Sequence, residues 1–185
     1  VSGGRAGVPG AVRVRAARPD EHVAVADVLE AAFTATFTIT DWYRENLRRV
    51  PEHAATHDVW VAELPGSATF AGAVLTPHPA ALRSAEPAPD GVPEFGFRLL
   101  GVAPTARGRG VGRALVAHTV GLARAQGLTR IGIRSGPQMR DAHRLYEQLG
   151  FVRRRERETL VVDGGQRLLV FTYDIPVPAT TGAGR

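Results

Sequence analysis

Leu99-Leu100-Gly101-Val102-Ala103-Pro104-Thr105-Ala106-Arg107-Gly108-Arg109-Gly110-Val111-Gly112 reads as a buried strand, a short turn and a glycine-rich lead-in to a helix. A helix start presents backbone N–H groups that have no partner inside the helix, at the positive end of the macrodipole, so this arrangement binds phosphate without a cage of side chains. Arg107 and Arg109 bring guanidinium groups to the same place, and the planar arginine fork matches phosphate oxygens. Two common phosphate motifs do not fit. A nucleotide P-loop needs a lysine after its glycines, and all 23 basic residues of this chain are arginine. A dinucleotide fingerprint needs a third glycine where this chain has Arg113.

What remains is Arg-x-x-Gly-x-Gly, filled by Arg107, Gly110 and Gly112 and preceded by Leu100-x-Val102-x-Pro104. This resembles the pyrophosphate loop of the GNAT superfamily of N-acetyltransferases and the strand leading into it. The resemblance implies acetyl-CoA as acyl donor. Arg107, Gly108, Arg109, Gly110, Val111 and Gly112 would hold its pyrophosphate, and the backbone of Leu100 and Val102 would align its pantetheine arm. A bulge permitted by Gly101 would expose backbone N–H groups there to stabilise an oxyanion.

A second stretch, Ala142-x-x-Leu145-Tyr146-Glu147-Gln148-Leu149-Gly150-Phe151, resembles the other signature of that superfamily. Ala142, Leu145, Tyr146 and Leu149 share one helical face, and Gly150 suits a left-handed helix end. From spacing alone Tyr146 is a core aromatic. The resemblance implies a general-acid role for it, because thioester cleavage expels a thiolate that a phenol can protonate. Met139 stands where the superfamily often has an asparagine that contacts CoA. For a base that deprotonates an acceptor amine, Glu94 is the leading sequence candidate and Glu63 a weaker one. Glu94 alternates with Gly96, Arg98, Leu100 and Val102 on one strand face, although a solvated strand start explains it equally well. His118 reads as a boundary histidine beside an apolar stripe. His53, His57 and His78 lack metal-site spacing, so no metal is expected.

Residues 12–18 alternate apolar and basic as a half-buried strand. Pro19-Asp20-Glu21 opens a helix whose apolar face is Val25, Val28, Leu29, Ala32 and Phe33. Thr34 to Thr40 is a connector. Asp41 caps a second helix through Val50, with Trp42, Leu47 and Val50 inward. Residues 58–64 and 69–75 form a hairpin around Pro65-Gly66-Ser67. A loop over 76–93 carries five of the 13 prolines and is expected to shape acceptor access. Then come a strand over 94–102, a helix over 110–126 ended by Gly127, a strand over 129–134 and a helix over 138–149. Strands over 151–162 and 168–175 surround Asp163-Gly164-Gly165. The expected order is β-α-α-β-β-β-α-β-α-β-β. That is a mixed α/β fold with a mostly antiparallel twisted sheet, in one GNAT-like domain over 12–175, between flexible tails at 1–11 and 176–185.

Composition narrows the function class. Hydrophobic residues make up 44% and charged residues 22% of the 185, as in ordinary globular domains, and no apolar run reaches transmembrane length. The glycine-rich N-terminus lacks a signal-peptide core, so a cytoplasmic protein with no membrane partner is expected. Cysteine is absent, which rules out disulfides and a cysteine-borne acyl intermediate. The net charge of +5 could mark a nucleic-acid binder, but the arginines are dispersed or sit at the glycine turn, and the 12 aromatics fall mostly at core-like positions. Arg153-Arg154-Arg155 with Arg157 reads as an exposed strand face. The expected activity is acetyl transfer from acetyl-CoA to an amine of a small molecule, peptide or protein, directly within a ternary complex. A non-catalytic acyl-CoA sensor is the alternative, and homodimerisation is left open.

Overall fold

The computed structural model describes residues 11–79, 88–162 and 165–176. Chain contacts group these into two compact units, one of residues 11–79 and 97–119, the other of residues 88–96 and 120–176.

The first unit is built on an antiparallel sheet of order β1 (Arg13–Ala16), β2 (His57–Glu63), β3 (Gly72–Pro77) and β5 (Arg98–Val102). Helix α1 (His22–Thr34) packs on β3 and β5 through Val25, Ala26, Leu29, Ala32 and Phe33, all buried. This i, i+3, i+4 stripe is the one the sequence displays, except that Val28 is only half-buried and Ala26 is buried beside it. Two glycines set how closely these layers approach. A Cβ on Gly101 would lie 3.0 Å from Leu29 Cδ2 and 3.1 Å from Ala32 Cβ, and one on Gly72 would lie 2.6 Å from the Gly101 carbonyl oxygen.

The expected second helix is two helices. Helix α2 (Asp41–Arg48) is capped by Thr40, whose hydroxyl accepts from Tyr43 N at 3.2 Å, so the cap falls one residue before Asp41. Arg49 leaves helical geometry, and Pro51 then suits the first turn of α3 (Val50–His53). Leu47 and Val50 are fully buried as expected, whereas Trp42 is 66% exposed.

The second unit holds a sheet of order β4 (Glu94–Phe95), β6 (Arg130–Ser135), β10 (Leu169–Asp174) and β7 (Val152–Arg153). Only β4 and β6 run parallel. The single strand expected over 94–102 is therefore divided between two sheets, Glu94 and Phe95 pairing with β6 and Arg98 to Val102 with β3. The strand expected over 151–162 is also interrupted. After β7 the chain makes a 3₁₀ turn at Arg155–Arg157, then β8 (Val161–Val162) forms a separate hairpin with β9 (Gln166–Arg167). The proline-rich stretch starts later than expected, because Thr76 and Pro77 belong to β3. Residues 80–87 of it, the segments 1–10 and 177–185 of the expected tails, and residues 163 and 164 lie outside the described residues. Helices α4 (Val111–Ala125) and α5 (Arg140–Gln148) match expectation, and Gly127 and Gly150 follow them at φ 72° and 89°.

One ion cluster ties β1 to the start of α1. Arg15 donates to both carboxylate oxygens of Glu21 at 2.7 and 2.9 Å, while Arg18 N donates to Glu21 at 2.8 Å. Arg15 Nε also donates to Glu63 at 2.8 Å, so Glu63 serves as an ion-pair partner. Hydrogen bonds from Arg15, then from the Arg18 backbone, pull the Glu21 carboxyl from 4.5 down to about 2. A depressed folded-state pKa gives stability that is present above the unfolded value near 4.5 and lost as pH falls through about 2. The Glu21→Gln variant is accordingly expected to show a shallower loss of stability between those two values, measured by denaturant midpoint against pH at constant m.

Candidate functional site

The first candidate region lies wholly in the first unit. Along β5 the register with β3 shifts, so that Leu75 faces Arg98 while Ala73 faces Gly101, one extra residue on β5. The bulge centres on Leu99, at φ 51°, a left-handed conformation unusual for a leucine. The sequence pattern points to Gly101 for this distortion. The structure moves it two residues upstream and leaves Gly101 to make room for α1 instead. Leu99 is buried, and Leu100 and Val102 are half-buried.

Beyond β5, Pro104–Ala106 make one 3₁₀ turn, anchored by buried Ala106. Arg107 is extended, and Gly108 and Gly110 then take φ 72° and 79°. A Cβ on either glycine would meet nothing within 4 Å, so backbone conformation and not crowding requires glycine at both. Helix α4 begins at Val111, whose buried side chain continues into Leu115, Val116, Thr119 and Ala123, with Leu122 only half-buried. The amide of Ala114 is bonded to the Gly110 carbonyl at 3.0 Å. By helix geometry the amides of Val111, Gly112 and Arg113 have no i−4 carbonyl within the helix.

The two loop arginines behave differently. Arg107 Nη2 donates to the Ala32 carbonyl at 3.0 Å and to Thr36 Oγ1 at 2.8 Å. Arg109 is exposed, with no hydrogen-bond or ion-pair partner among the described residues. The loop thus offers unspent helix amides beside one unpaired cation, a combination suited to a polyanion.

Other polar groups of this unit are less promising. A cavity of about 200 Å³ is lined by His22, His57, Asp58, Trp60 and His78, among others. Burial, then Arg98, lowers the His57 pKa, and burial lowers that of His53. His118 stands edge-on to Trp60 at 4.3 Å; burial lowers its pKa, and its Nε2 has no hydrogen-bond partner among the described residues. Among the described residues, no group of three or more His, Cys, Asp or Glu could hold a metal ion, and no helix is long and apolar enough to cross a membrane.

The second unit carries Glu94 and Tyr146. Both Glu94 oxygens accept from Arg157, at 2.6 and 2.9 Å, and Arg130 Nη1 lies 3.8 Å away. A Cβ on Gly132 would fall on Glu94 Oε2, so that glycine seats the carboxylate over β6. Arg157, which the sequence pattern does not single out as a partner, is the largest addition here. Three of the four arginines of its run are held internally and not spread on an exposed strand face: Arg153 grips Glu158 at 2.6 and 2.9 Å and Arg154 reaches Thr172 at 2.9 Å, like Arg157 on Glu94, while Arg155 is exposed. Tyr146 on α5 is buried against Phe151 and Phe171, with ring centroids at 5.6 and 5.7 Å. One turn earlier, His143 lies against the same Phe171, and its Nε2 is 3.1 Å from Ser135 Oγ. Burial, then Arg153, lowers the His143 pKa. Sequence spacing gives no sign of the Ser135–His143 pair, because its partners come from different elements.

Residues 25–151 match the family model described as the Acetyltransferase (GNAT) family. The fold is similar to that of a GNAT-family protein from Desulfovibrio desulfuricans, with TM-score 0.66 and 21% identity over 90% of this chain and 100% of the other. It is similar to yncA of Salmonella typhimurium, solved with its cofactor acetyl-CoA, with TM-score 0.61 and 19% identity over 94% and 99% of the two chains. The PaiA N-acetyltransferase of Thermoplasma acidophilum, in complex with coenzyme A, is likewise similar, with TM-score 0.62 and 12% identity over 88% and 99%. No curated protein sequence matches.

The Glu94–Arg157 pair is expected to behave as a coupled unit. Both side chains are about 15% exposed, so removing one partner strands the other in a poorly hydrated place. Arg157→Met and Glu94→Gln are each expected to cost about 2–4 kcal/mol. Urea denaturation of the double variant should show a smaller loss than the two single losses added together.

Proposed function

Because the chain belongs to the acetyltransferase (GNAT) family, we propose that it transfers the acetyl group of acetyl-CoA directly to an amine of an acceptor in a ternary complex. The observation that carries this reading is the glycine lead-in to α4. Two left-handed glycines deliver the chain into the helix beside open space and leave the first helix amides unspent. Those amides, of Val111, Gly112 and Arg113, with the loop backbone of Gly108 to Gly110 and the guanidinium of Arg109, would take the pyrophosphate, with Arg107 at the base of the loop. The half-buried backbone of Leu100 and Val102, next to the bulge at Leu99, would run beside the pantetheine arm.

In the reaction, the amine nitrogen attacks the thioester carbonyl carbon, the carbonyl oxygen gains negative charge, and the C–S bond then breaks. Backbone N–H groups at the bulge are the proposed oxyanion donors. Tyr146 would give its phenolic proton to the departing thiolate. For the proton lost by the amine we propose Glu94. A carboxylate has about four lone-pair directions, and a bidentate arginine occupies two of them. Arg157 would therefore orient Glu94 while leaving the remaining lone pairs for the amine or a bridging water. With no cysteine in the chain, a thioacyl relay is unsupported, which favours direct transfer.

The same absence helps the assay, because any thiol that appears is released CoA. Acetyl-CoA is to be incubated with small amines, amino acids and peptides, and free thiol followed with a disulfide reagent. An amine that accelerates thiol release and gains acetyl mass supports the proposal; a panel with no such amine counts against it.

Two variants divide binding from chemistry. Gly110→Asp places a carboxylate where phosphate would sit, and is expected to weaken acetyl-CoA binding by at least tenfold in calorimetry. Gly110→Ala carries the backbone strain of φ 79° alone, about 1–2 kcal/mol in stability, and should weaken binding much less. Tyr146→Phe is expected to lower kcat by about 10²–10⁴ with acetyl-CoA affinity nearly unchanged, because the ring packing survives. An unchanged kcat where chemistry limits the rate would return Tyr146 to a packing role.

A further inference from the structure

Arg107 lies in the glycine loop, but its side chain is committed elsewhere. One nitrogen, Nη2, donates both to the Ala32 carbonyl at 3.0 Å and to Thr36 Oγ1 at 2.8 Å. Ala32 is in the last turn of α1, where carbonyls lack partners inside the helix and where a cation is favourable. The Thr36 hydroxyl also approaches the Ala32 carbonyl, at 3.4 Å, so the three groups close a small ring over the helix end. Residues 34–39, together with Arg44, line a cavity of about 370 Å³. Arg44 is in turn held by Glu30 of α1 at 2.7 Å. The wall of that cavity is thus fastened at one end to α1 and at another to the loop that precedes α4.

We propose that Arg107 is a positioning residue that couples the glycine loop to the α1–α2 connector, so that an anionic donor bound at the loop orders the cavity lined by residues 34–39. The inference rests on the donor-site reading proposed for the loop. A phosphate group there has the helix amides and the unpaired Arg109 to meet it. Drawing Arg107 away as well would take the charged donor from the Thr36 hydroxyl and from the Ala32 carbonyl, leaving that carbonyl only the 3.4 Å approach of Thr36 Oγ1. Arg107 therefore stays on the connector, and a ligand that immobilises the loop immobilises the connector with it. The cavity would be readied for its own ligand by the donor, which gives positive coupling between the two sites.

The test is amide hydrogen exchange over residues 34–40, with and without free CoA, in the full chain. In the wild-type protein CoA is expected to slow exchange there at least threefold. Thr36→Val removes one acceptor of Arg107 without touching the loop. It should bind CoA as the wild type does, yet lose that protection. Arg107→Met should lose the protection too, with CoA affinity weakened less than tenfold. Arg107→Lys, which keeps a cationic donor group at the end of a shorter, unforked side chain, should restore part of it. Persistence of CoA-dependent protection in Thr36→Val overturns the coupling. So does a loss of CoA affinity above tenfold in Arg107→Met, which would make Arg107 a phosphate ligand. Should Arg107→Met fail to fold, Thr36→Val decides alone. Wild-type protein that binds CoA without protecting residues 34–40 overturns the coupling alone, whereas wild-type protein that binds no CoA overturns the donor-site reading and the coupling with it.

Discussion

The left-handed turn of the backbone at Leu99, φ 51°, governs where the chain downstream of it can lie. A leucine there is strained by roughly 1–2 kcal/mol, and such strain persists only where the surroundings over-determine it. They do so here from two sides. Leu99 is itself buried, and the residues after the bulge are gripped by β3, with Gly101 opposite Ala73 and Val102 opposite Gly72. Gly101 then faces α1 so closely that an added Cβ would press on Leu29 and Ala32, and the Gly101 carbonyl fills the space a Cβ on Gly72 would need. Because the extra residue lies upstream of these contacts, the position of Val102, and with it the start of the 3₁₀ turn and the glycine loop, is set by packing. A loop carried by a strand locked in this way would need little reorganisation to take the phosphate proposed for it, which is what pre-organised binding requires.

The second constraint is electrostatic. A chain whose basic residues are all arginine uses the fork of that side chain as a structural fastener. Arg15 joins β1 to Glu21 and Glu63, Arg157 clamps Glu94, Arg153 grips Glu158, and Arg107 closes the end of α1. The net charge of +5 is consequently a poor guide to partners, because many guanidinium groups are already neutralised within the fold. Arg109 is an exception, and its place at the glycine loop makes it more informative than the total.

Much of the fold is legible in the sequence because its signals are local. Glycines at helix ends, the α1 stripe and the strand–turn–helix around Gly110 each depend on residues a few positions apart, which periodicity and turn chemistry can read. The misreadings share a different cause. Trp42 lies out of the core because it stands five residues before buried Leu47 on the same helix, about 140° around the axis, so the two cannot share a face. The run 94–102 alternates as one strand, yet its two halves hydrogen-bond to strands from different parts of the chain, and alternation carries no information about partners. The same holds for the candidate site. Spacing can single out Glu94, Tyr146 and Arg107, but Arg157 opposite Glu94, Ser135 opposite His143 and Thr36 opposite Arg107 are contacts between residues far apart in sequence or on different elements.

We propose that the amides leading into α4 receive the phosphates of an acyl-CoA donor. Backbone amide resonances followed during titration with acetyl-CoA test it most directly. The signals of Gly108 through Arg113 are expected to shift first and furthest, saturating together with one dissociation constant, while 3′-phosphoadenosine alone reproduces only part of the pattern. Shifts concentrated instead at the cavity of His22, His57 and His78, with Gly108 through Arg113 unmoved at saturation, would contradict it.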